Sequence, residues 1–277
     1  MVKRWLRRAW AEWRIGLRRK ELLAALSAHF GGVRGLHFIY RGDRGRDSIY
    51  LLTDATKTLG IMRLVNPHYH KTLPPDWPFQ LELQGGQIDR EWAAYSRGYV
   101  AGLTPKPLWR TQDALLCEYM PYGSMHDTLL QSPEQAWSMM CEGSKALQRL
   151  HQAGLTHMDA SFANMLKSDK GQIYIIDFEY APARGLSLAA QRVYDHLRLL
   201  ESTWKFILPA ERGNYQPWLD CLVKCLDDDM RKVDLRPLAP AIDRVMQTPV
   251  LGQKIRNLFN SPLPSARLRQ EATAGLG

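Results

Sequence analysis

The residues best suited to chemistry lie in two short segments. One is Leu150-His151-Gln152-Ala153-Gly154-Leu155-Thr156-His157-Met158-Asp159-Ala160-Ser161-Phe162-Ala163-Asn164, the other Ile175-Ile176-Asp177-Phe178-Glu179. Asp159 and Asn164 are five positions apart, and Asp177 follows thirteen residues after Asn164. Carboxylate and amide oxygens are hard donors that suit a hard divalent cation, and a positioned carboxylate can take a proton from a hydroxyl. Asp and Asn also cap turns for structural reasons alone, and an isolated Asp-x-x-x-x-Asn would be read that way.

Here the surroundings agree with chemistry. A helix ends in Leu-His-x-x-Gly, the five-residue step follows, and a strand then leads into Asp-Phe-Glu. Together these segments resemble the H-x-D-x-x-x-x-N catalytic loop and D-F-G metal motif of protein kinases. They are also similar to the His-Gly-Asp and Asp-Phe-Glu variants of aminoglycoside and choline phosphotransferases. The resemblance implies ATP and Mg²⁺ as cofactors. It makes Asp159 the catalytic residue that orients the attacking hydroxyl and accepts its proton, and Asn164 and Asp177 the Mg²⁺ ligands. His157 braces the loop, and Asp195, in Arg192-Val193-Tyr194-Asp195-His196-Leu197, supports it from the following helix.

The upstream residues fit the same order with weaker motifs. His37–Arg41, Ser48–Thr53 and Leu59–Val65 read as three strands, with Gly42 and Gly45 between the first two, where the family covers phosphate. That sequence is not a full G-x-G-x-x-G, and alone it is an ordinary polar hairpin. The third strand carries Arg63, where kinases usually have lysine; arginine keeps the charge but is forked and bulkier. Glu91, opening a helix that runs to Val100, is the ion-pair partner the resemblance assigns to Arg63. Cys117-Glu118-Tyr119-Met120 is similar to the strand-to-hinge passage, where backbone groups of Glu118 and Met120 would bind adenine.

These elements imply an α+β fold of the two-lobed protein-kinase-like kind. Residues 37–120 form a small β-rich N-lobe and 121–277 a larger helical C-lobe, with ATP between them. Ser132-Pro133-Glu134 reads as a helix start with Ser132 as cap, continuing to Gln152. A strand spans Gln172–Ile176. Further helices fall at 186–207, 215–230 and within 237–259, while 66–86 reads as a long insertion loop. His68 and His70 alternate like metal ligands but lack a third. Asp227–Asp229 reads as a solvated helix end, and the cysteines at 117, 141, 221 and 225 read as buried thiols.

Charge is concentrated at one end. Residues 1–36 carry +7 of the total +9, forming a basic N-terminal extension. Residues 3–20 read as an amphipathic helix, with Leu6, Trp10, Trp13 and Leu17 at helical spacing and arginine over much of the rest. Two partners suit such a helix equally: an anionic membrane surface, or the protein's own body. Nucleic acid is a weaker reading, because no recognition motif accompanies the charge. No apolar run is long enough to span a bilayer, and no signal peptide is evident, so a cytoplasmic location is expected, peripheral on the inner membrane face if the helix binds lipid.

Only eight residues separate Asp177 from the 186–207 helix, and no Ala-Pro-Glu motif follows, which favours a small acceptor over a protein. The long insertion, the Arg90-Glu91-Trp92 helix start and the basic N-terminus are most similar to bacterial lipopolysaccharide-core kinases. That resemblance implies transfer of the γ-phosphoryl group of ATP to a sugar or glycolipid hydroxyl at the membrane face. A soluble aminoglycoside- or choline-type kinase is the alternative within the fold. A non-catalytic pseudokinase scaffold is the alternative outside it, suggested by Arg63 and Glu179 where lysine and glycine are usual.

Overall fold

The computed structural model describes residues 2–44, 47–65, 73–74, 76–81 and 86–259, without the side chains of 2–12, 14, 43, 44 and 81. Gly45, His68 and His70 therefore lie outside the described residues. The chain divides into two compact units, Met1–Thr72 with Glu82–Pro121, and Leu73–Leu81 with Tyr122–Gly277. In chain order the elements of the first part are α1 (Val2–His29), β1 (His37–Arg44), β2 (Asp47–Thr53), β3 (Thr58–Leu64), β4 (Phe79–Leu81), α2 (Gly86–Val100), β5 (Pro107–Arg110) and β6 (Ala114–Glu118). All but β4 belong to the first unit.

That unit is an antiparallel sheet of strand order β1-β2-β3-β6-β5. Side chains alternate across a strand, so Tyr50 and Leu52 of β2, Met62 and Leu64 of β3, and Ala114 and Leu116 of β6 share one face. Ile15, Leu22 and Leu26 of α1 pack into that same cluster, all almost fully buried. Each such side chain contributes about 1.5–3 kcal/mol by leaving water. The helix thus packs on the body of its own unit. It runs to His29, well beyond residue 20, and its buried stripe is Ile15-Leu22-Leu26, while Trp13 and Leu17 are exposed. Arg18 pairs with Asp113, fixing the same helix to the turn between β5 and β6.

Arg63 is one step out of phase with Met62 and Leu64, so its side chain leaves from the opposite face. There α2 buries a stripe of Gln87, Ile88, Glu91, Ala94, Tyr95 and Gly98. Gly60, at the far end of β3, faces Glu118 across the ladder. A Cβ at Gly60 would come within 2.6 Å of the Cys117 carbonyl oxygen, so this close strand pairing requires glycine. Gly42 lies inside β1, opposite Ile49 and just after a register shift, rather than between the first two strands.

The second unit continues with α3 (Met125–Gln131), α4 (Ala136–Gln152), β7 (Met165–Lys167), β8 (Ile173–Ile175), β9 (Tyr180–Pro182), α5 (Leu188–Thr203), α6 (Gln216–Cys225), α7 (Asp228–Arg231), α8 (Asp243–Met246) and α9 (Pro249–Leu258). Ser124 caps α3, its side chain accepting from the Asp127 N–H. Ser132 makes no side-chain cap bond; Pro133–Gln135 form a 3-10 turn, and α4 starts after it. The expected helix at 215–230 is broken into α6 and α7, while the one expected within 237–259 is α9, preceded by the short α8. Pro249 opens α9 and cannot extend the preceding helix.

Helices α4, α5 and α6 form the core of this unit. Trp218 of α6 is fully buried and donates to Ser144 Oγ at 3.2 Å. At Gly143 of α4 an added Cβ would stand 2.8 Å from Leu199 Cδ2 and 3.1 Å from Phe162 Cε1, so the missing side chain lets α5 and the Phe162 loop approach. The hairpin β7–β8 pairs Met165 with Ile175, and β4 pairs with β9. The four cysteines are free thiols. Among the described residues no helix is long and apolar enough to cross a membrane.

Candidate active site

A polar stripe along α5 holds the segment from Thr156 to Ala160 almost residue by residue. Gln191 accepts from Thr156 Oγ1 at 3.0 Å. One helical turn on, Asp195 accepts from the N–H of His157 at 2.8 Å through Oδ2 and from the N–H of Met158 at 2.7 Å through Oδ1. Arg198 follows, donating to Asp159 Oδ1 from Nε at 3.0 Å and Nη2 at 2.8 Å. Ser202 completes the row: its hydroxyl lies 3.3 Å from the Ala160 carbonyl oxygen and 2.9 Å from that of Leu199. Positions 191, 195, 198 and 202 lie on one face because the helix repeats every 3.6 residues.

Asp195 is fully buried and also bonds His151 Nε2 at 3.0 Å. Burial alone would raise its carboxyl, but the His151 hydrogen bond and the His157 N–H hold it below the ordinary range. A buried carboxylate with this many donors is a rigid anchor. The backbone bends to meet it: Met158 has φ 65°. Among the described residues Met158 and Asp177, at φ 72°, are the non-glycine residues with positive φ. Such conformations cost energy and persist where the surroundings impose them.

His157 ties the two segments together. Its Nδ1 accepts from the Asp159 N–H at 3.2 Å, so Nε2 carries the proton and donates to the Ile176 carbonyl oxygen at 2.9 Å. Asn164 adds two further links, donating from Nδ2 to the Asp159 carbonyl oxygen at 3.2 Å and accepting from the Ile176 N–H at 3.0 Å on its own carbonyl oxygen. Asp159 and Asn164 are thus joined through the backbone to the residue immediately before Asp177. Phe178, fully buried, packs its ring 5.0 Å from that of His157. The Tyr180 phenol is held well above its ordinary range, first by burial and then by the charges of Glu179, Asp159 and Asp177.

The donor set fits Mg²⁺ carried by a nucleotide. Among the described residues no group of three His, Cys, Asp or Glu could hold a metal alone. Mg²⁺ is usually bound by one or two carboxylates together with substrate phosphates and water, and Asn164 with Asp177 supplies that kind of partial set. With Nδ2 engaged, the Asn164 amide turns its oxygen elsewhere.

In the first unit Arg63 bridges two buried carboxylates, pairing with Glu91 and, from Nε, with Asp47 Oδ2 at 3.3 Å. Gln87 Nε2 also donates to Glu91 Oε1 at 3.1 Å. The partner expected from order along the chain, Glu91, is joined by Asp47, which the sequence reading did not single out. Glu118 ends β6 and its N–H donates to the Lys106 carbonyl oxygen at 2.8 Å. That N–H is already committed, while Met120 lies just beyond the strand.

Arg198 was missed as well. Its signal was present: it stands three residues after Asp195, on the same face of a helix otherwise rich in apolar residues.

Comparison with known proteins agrees with this architecture. Residues 81–183, from β4 through the Asp159 and Asp177 segments, match the RIO domain. No curated protein matches the chain. Among solved structures, one similar to it is the Rio2 kinase of Chaetomium thermophilum in an ADP/Mg²⁺-phosphoaspartate complex. It has 16% identity and a TM-score of 0.48, covering 90% of this chain and 75% of that one. The fold is α+β and protein-kinase-like.

The RIO-domain match overturns the acceptor expected from sequence. Kinases of that type act on proteins, not on sugars or glycolipids. The points that suggested a lipopolysaccharide-core acceptor were an insertion, a helix start and a basic helix, not the Asp159 and Asp177 segments themselves. The anionic membrane surface falls with it, and α1 packs Ile15, Leu22 and Leu26 on its own unit.

Proposed function

We propose that this chain transfers the γ-phosphoryl group of ATP to a hydroxyl of a protein acceptor. The observation that carries this reading is the tie between the two segments: Asp195 clamps the backbone before Asp159, and His157 joins that loop to Ile176, next to Asp177. Such a linkage serves a reaction whose catalysis is mainly positioning and electrostatics.

Asp159 accepts the acceptor hydroxyl's hydrogen bond on Oδ2, the oxygen that Arg198 leaves aside. As the new P–O bond forms and the bond to the ADP oxygen breaks, the hydroxyl proton passes to that carboxylate. Asn164 and Asp177 offer amide and carboxylate oxygens to the metal. Bound Mg²⁺ supplies charge neutralisation on the phosphate oxygens. Arg63, held by Glu91 and Asp47, is a planar fork where kinases usually use a point charge.

The test is incubation of γ-³²P-labelled ATP and Mg²⁺ with wild type or Asp159→Asn, using a protein extract and, separately, its dialysed small molecules as acceptors. Label entering protein only with wild type supports the reading. Label confined to small molecules would remove the protein acceptor, and equal labelling by both enzymes would remove Asp159 from the reaction.

A further inference from the structure

Beside the Asp159 loop lies a cavity of about 230 Å³. Its floor is the stretch between Asp159 and Asn164; its walls are α3 and the C-terminal end of α5, continuing the row of Asp195, Arg198 and Ser202. The polar lining residues are His126, Ser161, Ser202, Thr203 and Lys205, with no carboxylate among the lining residues. Phe206 closes one side, its ring 4.6 Å from that of His126 and 4.7 Å from Lys205 Nζ.

Two of these groups lack the bonds their positions would lead one to expect. Thr203 is 2% exposed, and its Oγ1 is buried without a hydrogen-bond partner. A hydroxyl in that state costs about 1–3 kcal/mol, which a ligand atom would offset. Ser161 stands at the N-terminus of the 3-10 turn Phe162–Asn164 but makes no side-chain cap bond. The cavity thus gathers hydroxyls, an imidazole and an ammonium. Its volume is below the roughly 300–1,000 Å³ of pockets that enclose a whole drug-sized ligand, so it suits one group of a larger partner.

We propose that this cavity is an anion subsite for the acceptor: it takes a carboxylate or phosphate side chain of the polypeptide, held by Lys205, Thr203 and Ser161, and so brings the neighbouring hydroxyl to Asp159. The proposal rests on the phosphotransfer reading and gives that reaction its acceptor preference. The chain distance is short, since Ser161 is two residues from Asp159, matching an anion a few residues from the phosphorylated side chain.

The test uses a positional peptide library around a fixed serine or threonine, with Mg²⁺ and ATP, on wild type and Lys205→Glu. Separate arms carry Asp or Glu, phosphoserine, and Lys or Arg. Wild type is expected to favour an anionic arm by roughly tenfold, the size of one hydrogen bond to a charged group, and the two acidic arms tell carboxylate from phosphate. Lys205→Glu is expected to invert the preference toward Lys or Arg, a gain that misfolding cannot imitate. Absence of any anionic preference in wild type, or its retention in Lys205→Glu, overturns the subsite. If neither enzyme transfers phosphate at all, the phosphotransfer reading fails separately. Free phosphoserine, titrated against both proteins and followed by NMR, then decides: binding lost in the variant sustains the subsite, and no binding to wild type overturns it.

Discussion

Arg198 grips one oxygen of Asp159 with two of its nitrogens, Nε at 3.0 Å and Nη2 at 2.8 Å. The fork fixes the carboxylate's rotation while the second oxygen stays available to an acceptor. Replacing Arg198 by Met is expected to lower kcat by about 10²-fold, the loss that follows a misplacement of about 1 Å. Arg198→Lys restores charge without the fork and should fall between the two. Steady-state kinetics with saturating ATP would show it, and three equal kcat values would sink the idea.

Asp195 holds the same loop from beneath. Asp195→Asn replaces an acceptor oxygen by an amide NH₂ that faces a backbone N–H or His151, and should cost about 1–3 kcal/mol per unsatisfied donor. Its folded carboxyl lies below the ordinary range, so its stabilisation is present above the unfolded value of about 3.9 and disappears as pH falls through the lowered one. Urea midpoints of wild type and Asp195→Asn should therefore differ by the same amount from pH 6 to 8 and converge only in strong acid. A gap that closed near pH 6 would contradict this.

His196 carries a different pH dependence. It is fully buried, neither ring nitrogen has a hydrogen-bond partner, and its ring stands edge-on to His151 at 5.2 Å. Burial, then the charge of His151, push its pKa down to about 3 from 6.5. Between those values the unfolded chain binds a proton that the folded one refuses, so stability falls as pH drops below 6.5. The loss should reach about 2 kcal/mol by pH 5. His196→Leu removes the group, and its melting temperature should be flatter over pH 5–7 than that of wild type. Parallel curves would rule this out.

Arg63 stands between Asp47 and Glu91, whose side chains are 4% and 1% exposed. Restoring the residue kinases usually have, by Arg63→Lys, leaves one of two buried carboxylates without its fork partner. We expect a loss of about 1–3 kcal/mol and a higher KM for ATP rather than improved activity. Arg63→Ala strands both carboxylates and should cost about 3–5 kcal/mol. Chemical denaturation with and without ATP would measure both, and a more stable Arg63→Lys would contradict the bridging role.

The sequence made the Asp159 loop and Asp177 visible because their order and spacing are local. The pairing of Arg198 with Asp159 was not, because it spans 39 residues and depends on how α5 packs on the loop. Three-residue strands such as β4 and β9 carry too little alternation to be read, so their pairing emerged only with the fold. In α1 two apolar stripes compete. The reading that stopped at Lys20 favoured the tryptophans, and the core selected Ile15, Leu22 and Leu26 because the buried stripe runs through the end of the helix.

The most direct measurement is ATP turnover titrated with Mg²⁺ for wild type and Asp177→Asn. Asn tolerates the left-handed backbone of φ 72°, so the variant should fold, as circular dichroism would verify. Wild type should show turnover that saturates with Mg²⁺. Asp177→Asn should lose at least about 10²-fold at every concentration or need far more metal. Turnover by wild type that ignores Mg²⁺, or a folded Asp177→Asn with an unchanged Mg²⁺ curve, would contradict phosphoryl transfer at Asp159, Asn164 and Asp177.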